Sequence, residues 1–372
     1  MTTLDLLDRL VAFPTVSRDS NLPLIDWAQD FLERRGATVH RLADPTGGKA
    51  GLFATLGPAG PGGVMLSAHS DVVPTDGQPW RRDPFRLTAE GDRVHGRGTT
   101  DMKGFLACML RAADAAAGMT LAEPLKLSIS YDEEVGCRGI ARMIGHLDAL
   151  IGLPRLCIVG EPTSMRIATG HKGKAAYAVT CHGEAGHSAE APLYRNALHL
   201  GADMLGALRE LQADLAATGA RDPAYSVPYS TVHAGRMAGG TALNIVPDLC
   251  TLDFEIRHVA AEPLPPLEAL LRTSAERIGG TAIEIAAGTA YPGLDVPEGA
   301  EAVRILSALL EEAELTKVGF GTEAGHFDAA GVPALVCGPG DMAQGHKANE
   351  YIALDQLAAC DRMLDRLLAT LA

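Results

Sequence analysis

The first 170 residues alternate between segments whose apolar residues have helical spacing and short, continuous apolar runs. The helical spacing predicts helices at 4–13, 23–35, 100–118 and 140–150, and the apolar runs predict strands at 51–56, 64–68, 125–131 and 156–159. Short apolar runs between helices are typical of parallel strands covered on both faces. The alternation resumes near the end of the chain, with a helix at 301–314, a strand at 334–337 and a helix at 354–371.

Between these two parts of the chain, the order of predicted helices and strands changes. Residues 172–288 predict a strand at 175–182, a helix at 196–217, strands at 230–236 and 249–258, a helix at 266–278 and a strand at 281–286. This βαββαβ order is that of a ferredoxin-like domain. The sequence therefore predicts an α/β fold in which a discontinuous, mostly parallel-sheet domain, 1–171 and 289–372, carries an inserted α+β domain at 172–288.

Composition narrows the class of protein. The chain has 46 Asp and Glu against 32 Lys and Arg, a formal charge of −14, and 47% hydrophobic residues. The hydrophobic content predicts a globular protein, and the acidic excess argues against nucleic acid or an anionic membrane as partner. The N-terminus lacks the basic start and apolar run of a signal peptide, which indicates a cytoplasmic protein. The seven cysteines form no CxxC pair, so we expect buried apolar residues rather than a disulfide framework or structural zinc.

Candidate metal ligands follow several predicted strands. They comprise His69 and Asp71 after the strand at 64–68, Glu133 and Glu134 after 125–131, Glu161 after 156–159, Asp101 at the start of the helix at 100–118, and His346 after 334–337. Since ligands bind beyond the carboxyl ends of the strands in such sheets, we expect these side chains to converge on one edge. A single His or acidic turn would usually be a packed or solvated residue, and only their repeated position indicates a site.

The spacing of these residues suits metal-assisted hydrolysis. In an extended chain His69 and Asp71 point the same way, so Asp71 can accept a hydrogen bond from the imidazole. Glu133 and Glu134 point opposite ways, so that one can bind metal while the other faces a water as general base. Asp101 can bridge two ions through its two oxygens. Two His, a bridging Asp and two Glu match a pair of cations about 3.5–4 Å apart.

Other enzyme classes lack their signatures here. A dinucleotide-binding dehydrogenase requires GxGxxG, but the third glycine position after Gly96 and Gly98 is Asp101. Neither a Walker A sequence nor a GxSxG nucleophile elbow is present. A non-catalytic interaction protein on this fold remains an alternative, and it would be expected to lack metal or base residues.

Nine ordered motifs resemble those of the M20 metallopeptidase family. They are SAHSDVVP (67–74), HGRGTTDMKG (95–104), YDEEVGCRG (131–139), VGEPT (159–163), GHKGKAAYAV (170–179), GEAGHSAEAP (183–192), GGTALNIVP (239–247), GTEAGHFDAAGVP (321–333) and GHKANEYI (345–352). The resemblance runs nearly end to end. It implies a dizinc catalytic domain interrupted by a lid domain that commonly dimerises, and hence a homodimer formed through residues 172–288.

The resemblance also implies a role for each matching residue. One metal is bound by His69, Asp101 and Glu161, and the other by Asp101, Glu134 and His346. Glu133 matches the general base and Asp71 the residue that orients His69. In the lid, His187 matches the histidine that stabilises the tetrahedral intermediate, often from the partner subunit. Asn244 and Arg257 match positions that bind the substrate carboxylate, although Arg257 equally fits a surface ion pair.

The implied reaction is hydrolysis of a small N-acyl amino acid with two divalent cations, zinc or alternatively cobalt. The GTEAG segment, in place of GTSDG, and HKGKAAYAV favour N-acetyl-L-ornithine, a substrate of arginine biosynthesis. Succinyl-diaminopimelate desuccinylases and aminoacyl peptidases share the same metal set and are the alternatives within the family.

Overall fold

The computed structural model describes residues 1–372, which form two compact units. The first unit contains Met1–Gly170, Leu294–Val318 and Thr322–Ala372, and the second contains His171–Gly293 with Gly319–Gly321. No helix combines the length and apolar character needed to cross a membrane. All seven cysteines are buried and free, as predicted.

The helices, in chain order, are α1 Thr3–Val11, α2 Leu22–Glu33, α3 Lys103–Ala116, α4 Arg138–Met143, α5 Leu147–Ile151, α6 Ala197–Thr218, α7 Leu264–Gly279, α8 Glu301–Ser307, α9 Ala324–Ala329 and α10 Leu354–Leu371. The strands are β1 Thr38–Ala43, β2 Ala50–Leu56, β3 Val64–His69, β4 Thr88–Glu90, β5 Arg93–His95, β6 Leu125–Ser130, β7 Leu156–Val159, β8 Ile167–His171, β9 Gly173–His182, β10 Thr231–Gly239, β11 Leu249–His258, β12 Ile283–Tyr291, β13 Leu294–Asp295, β14 Leu315–Val318, β15 Ala334–Val336 and β16 Tyr351–Ala353.

The first unit is built on a mixed sheet with the order β1-β2-β6-β3-β7-β15-β8-β13. Its centre is parallel, because β3 pairs in parallel with β6 and β7, and β15 with β7. Strands β1 and β2 pair antiparallel at one side. Every residue of β2, β3 and β6 is buried, as expected for strands covered on both faces, and each fully buried Leu or Val contributes about 1.5–3 kcal/mol. The predicted α/β class is confirmed.

The second unit has the predicted βαββαβ order. Its four strands form one antiparallel sheet in the order β10-β11-β9-β12. Strand β9 has alternating buried and more exposed residues, so one face packs in the core while the other is more open to solvent. Buried residues of α6 and α7, such as Met204 and Leu271, pack against the buried face.

The helix predictions at 301–314 and 140–150 are wrong in extent. The helix predicted at 301–314 ends at Ser307. Beyond its end, the carbonyl of Leu309 accepts a hydrogen bond from Nη1 of Arg366 at 3.1 Å. The helix predicted at 140–150 is divided into α4 and α5 by a turn of 3₁₀ helix at Ile144–His146. Gly145 lies in this break, where its low helix propensity favours a change of geometry.

Candidate metal centre

The parallel centre of the sheet brings the predicted ligands of the first unit to one edge. Strand β3 ends at His69, which lies beside Ser130 at the end of β6. Glu133 and Glu134 follow three and four residues later, and Glu161 follows the neighbouring strand β7. Asp101 precedes α3, and His346 lies in the loop between β15 and β16. The ends of adjacent strands therefore bring these side chains together at one edge of the sheet.

Asp101 lies between the two histidines. Its Oδ1 is 3.1 Å from Nε2 of His69, and its Oδ2 is 3.1 Å from Nε2 of His346. Asp101 is 4% exposed, so both oxygens are withheld from bulk solvent. One carboxylate thus faces two imidazole nitrogens with a different oxygen toward each, which is the arrangement a ligand shared by two cations requires.

Each histidine has a second carboxylate beside it. Glu161 Oε1 is 3.7 Å from Nε2 of His69, and Glu134 Oε2 is 2.9 Å from Nε2 of His346. Two mixed nitrogen and oxygen groups therefore share Asp101. Ligand atoms of His69, Asp101 and Glu134, and separately those of His69, Glu133 and Glu161, all lie within 4.8 Å of one another.

Unpartnered oxygens support a cation site. Oε1 of Glu134 and Oε1 of Glu161 are buried without a hydrogen-bond partner. A buried carboxylate oxygen without a donor is unfavourable unless a cation satisfies it. Imidazole nitrogen with carboxylate oxygen suits borderline cations such as zinc or cobalt. The residues present therefore fit two such cations.

The electrostatics of the cluster lead to the same conclusion. Burial raises the pKa of Glu133 to about 8, with His69 opposing the rise and Glu134 and Asp101 adding to it. Burial, and then the charge of Asp101, raise the pKa of Glu134 to about 7. Hydrogen bonds to Asp101 and Glu134 raise the pKa of His346 to about 11. The site thus favours positive charge among its carboxylates, and a divalent cation supplies that charge.

Asp71 contacts its neighbours differently from the prediction. Nδ1 of His69 is 3.0 Å from the main-chain oxygen of Asp71, whereas the carboxylate Oδ1 lies at 3.7 Å. The carboxylate instead accepts hydrogen bonds from the backbone nitrogen of Glu133 at 3.1 Å and that of Glu134 at 3.4 Å. Asp71 therefore orients His69 through its backbone and holds the Glu133–Glu134 peptides through its side chain.

The remaining predicted residues belong to the second unit. His187 and Asn244 lie on adjacent segments, since the nitrogen of Ser188 donates to the carbonyl of Asn244 at 3.1 Å. Nδ1 of His187 accepts from the nitrogen of Ala189. Arg257, on β11, donates to Glu255 at 2.9 Å and to the hydroxyl of Tyr291 at 2.6 Å. This ion pair matches the alternative stated for Arg257 and also holds its guanidinium in a fixed place.

Glu350 and Arg97 were not predicted from the sequence, and they form an ion pair whose two side chains are each 1% exposed. Both residues lie inside segments that carry metal-type ligands, HGRGTTDMKG and GHKANEYI. The sequence feature that could have indicated them is a charged residue without an assigned role, in a motif that also contains a candidate ligand.

The chain is similar to known proteins in both sequence and fold. The model of "Peptidase family M20/M25/M40" matches residues 65–370. Acetylornithine deacetylase from Myxococcus xanthus is 34% identical over 377 residues, covering 98% of this chain and 96% of that protein. The M20 family metallo-carboxypeptidase Sso-CP2 from Sulfolobus solfataricus has the same fold, with a TM-score of 0.82 at 18% identity over 99% of this chain and 98% of that one. A dinuclear metal-binding peptidase from Bacillus subtilis is similar over 99% of this chain and 97% of that one, with a TM-score of 0.67 at 14% identity.

Proposed function

Because this chain belongs to peptidase family M20/M25/M40, we propose that it uses its metal centre to hydrolyse N-acetyl-L-ornithine. The products are acetate and L-ornithine, and the reaction is a step of arginine biosynthesis. The observation that carries the proposal is the carboxylate of Asp101 between His69 and His346. Near-full-length relatives named acetylornithine deacetylase support the choice of substrate.

The proposed metal ligands follow the two groups around Asp101. His69, Asp101 and Glu161 would hold one cation, and Asp101, Glu134 and His346 would hold the other. We propose zinc as the cation, with cobalt as a substitute, because both accept imidazole and carboxylate ligands. The side chain of His346 is 51% exposed, so a substrate carbonyl can approach from that side.

Bound cations would lower the pKa of an attacking water and polarise the acetyl carbonyl. Glu133 then accepts the proton of the attacking water and delivers it to the nitrogen of the leaving amine. Glu133 is placed for both transfers, because one of its carboxylate oxygens lies within 4.8 Å of ligand atoms of His69 and Glu161. Asp71 keeps Glu133 in place through the hydrogen bond that it accepts from the Glu133 nitrogen.

We propose that residues 172–288, which lie within the second unit, act as a lid and dimerisation domain. Within it His187 would offset the oxyanion charge, and Asn244 and Arg257 would bind the substrate carboxylate. Glu255 and Tyr291 fix the guanidinium of Arg257 and so reduce the entropy lost when a carboxylate binds. Leu193 and Leu243, 76% and 102% exposed, are apolar side chains that a homodimer interface would bury.

Removal of metal tests the centre directly. Chelation is expected to reduce hydrolysis to background and to lower the melting temperature by several degrees, because a ligand at 100 times its Kd stabilises the folded state by about 2.7 kcal/mol. Differential scanning calorimetry and turnover, each before and after chelation, provide the measurement. Added zinc or cobalt should restore both quantities. Magnesium is the control cation and should restore neither, because it prefers oxygen ligands in an octahedral arrangement. Full activity after complete removal of metal would contradict the proposal.

The substrate is tested with a panel of N-acyl amino acids. We expect kcat/KM for N-acetyl-L-ornithine to exceed that for N-succinyl-diaminopimelate by at least tenfold, or about 1.4 kcal/mol of transition-state binding. A tenfold preference for the succinyl substrate would replace the deacetylase with a desuccinylase and leave the metal centre intact. Dipeptides in the same panel test the peptidase alternative.

A further inference from the structure

Glu350 is a buried carboxylate that follows the ligand His346 and immediately precedes β16. It is 1% exposed, and its Oε2 accepts a hydrogen bond from Nη1 of Arg97 at 2.7 Å. Neither residue is among the groups that face a cation, since Glu350 is engaged by other donors. A charged pair placed this deeply must have its hydrogen bonds satisfied locally.

The donors around Glu350 are backbone amides of the segment that carries Asp101. Oε2 also accepts from the nitrogen of Gly98 at 3.1 Å. Oε1 accepts from the nitrogen of Thr100 at 2.9 Å and from that of Asp101 at 3.1 Å. With Arg97, these three amides fill the four acceptor positions of the carboxylate. Glu350 therefore binds the very peptide unit from which the Asp101 side chain projects.

The local sequence makes this arrangement possible. Gly98 has a φ of +84°, a conformation that L side chains rarely adopt. A Cβ at this position would lie 2.8 Å from Cγ1 of Val72, so there is also no room for one. Successive amides that turn inward in this way form a concave site for an anion. Here the anion is a side chain of the same protein.

Arg97 and Glu350 also hold the segment that contains His346, the other histidine of the proposed metal centre. The nitrogen of Gly96 donates to the main-chain oxygen of Glu350 at 3.0 Å. Nη1 of Arg97 is 3.3 Å from the carbonyl of Lys347, the residue after His346. Arg97 also donates to Gln78, whose amide binds the carbonyl of His346 at 3.0 Å. Residues 96–101 and 345–350 are therefore fixed to each other beneath the ligands.

We propose that Glu350 is a positioning residue of the metal centre, which holds the 98–101 backbone so that Asp101 reaches His69 and His346 together. Glu350 acts through Asp101 and touches neither substrate nor cation. The inference rests on the proposed function, because it concerns the ligand role given there to Asp101. It differs from a role in fold stability because it predicts an effect on cation binding by protein that is already folded.

Glu350→Gln tests the proposal with little change of shape. The glutamine amide must place an N–H donor against backbone N–H or guanidinium donors, so the 98–101 segment is expected to shift. Metal-stripped protein is titrated with cobalt and followed by visible absorption and calorimetry. We expect affinity for at least one of the two ions to fall about 10–100-fold, as for other residues that orient ligands, and the cobalt spectrum to change. Glu350→Asp keeps the charge and all four acceptor positions, and its affinity for cobalt should lie between that of the wild type and that of E350Q.

Asp361→Asn is the matched control. Asp361 also pairs with an arginine, Arg111, at 2.8 Å, and accepts from the hydroxyl of Thr3 at 2.6 Å, but it joins α10 to α3 and α1. This variant should lower the melting temperature without changing cobalt binding. Wild-type affinity and spectrum in folded E350Q would overturn the proposal, as would failure of both E350Q and E350D to fold. Wild-type protein that binds two ions but does not deacetylate would instead refute the proposed substrate alone.

Discussion

Glu133→Gln should reduce kcat for N-acetyl-L-ornithine by about 10²–10⁴-fold while both cations remain bound, because a positioned general base contributes a factor of this size. The glutamine amide keeps the shape of the side chain but cannot take up the proton of an attacking water. KM should change little, since the loss lies in the transition state. Steady-state kinetics and metal analysis of the same preparation measure the two effects separately.

Asp132→Asn is the control for this variant. Asp132 is the adjacent residue, but its carboxylate pairs with Lys49, outside the ligand set. Its φ of 55° suits asparagine, so the backbone should be retained. We expect no more than a few-fold change in kcat. Near-normal turnover by E133Q would show that Glu133 is not the general base. Glu134 and Glu161 would then be the candidates for that role.

Asp101→Ala should abolish hydrolysis and weaken binding of both ions, not one. A single carboxylate faces both histidines, so its removal deprives each ion of a direct ligand. Affinity for each ion should fall by more than about 100-fold, the largest loss expected for residues that only orient ligands. Metal content after dialysis and cobalt titration are the measurements, with far-ultraviolet circular dichroism to establish that the variant is folded.

Asp92→Ala provides the comparison, because the Asp92 side chain is 86% exposed and lies on the turn between β4 and β5. It should keep both ions and full activity. If D101A retained one tightly bound ion, the two groups around Asp101 would not share a ligand, and the centre would have to be described as two independent sites.

The ligand cluster was predictable because strand order and residue type both appear in the sequence. His69 ends a buried strand, and Glu134 and Glu161 follow the two strands that pair with it. The order of elements in the second unit was predictable for the same reason, since its helices and strands carry clear apolar periods. In both cases local pattern and tertiary placement agree.

Features decided by distant contacts were not predictable. The helix predicted from residue 100 begins at Lys103, because the amides of Thr100 and Asp101 bind Glu350, far along the chain. The three-residue strand β16 forms by pairing with β5, which lies far earlier in the chain. Asp71 satisfies the expected HxD spacing, yet the amides of Glu133 and Glu134 occupy its carboxylate. Each of these outcomes depends on donors that a local window does not contain.

The bond between Glu350 and Asp101 joins residues 249 positions apart, and this separation sets an order of events during synthesis. A ribosome-bound chain that has emerged only as far as β15 already contains His69, Asp101, Glu134 and Glu161, together with the whole second unit. It lacks His346 and the anion that organises residues 98–101. The complete set of proposed ligands, and the carboxylate that positions Asp101, can therefore come together only after His346 and Glu350 have been synthesised.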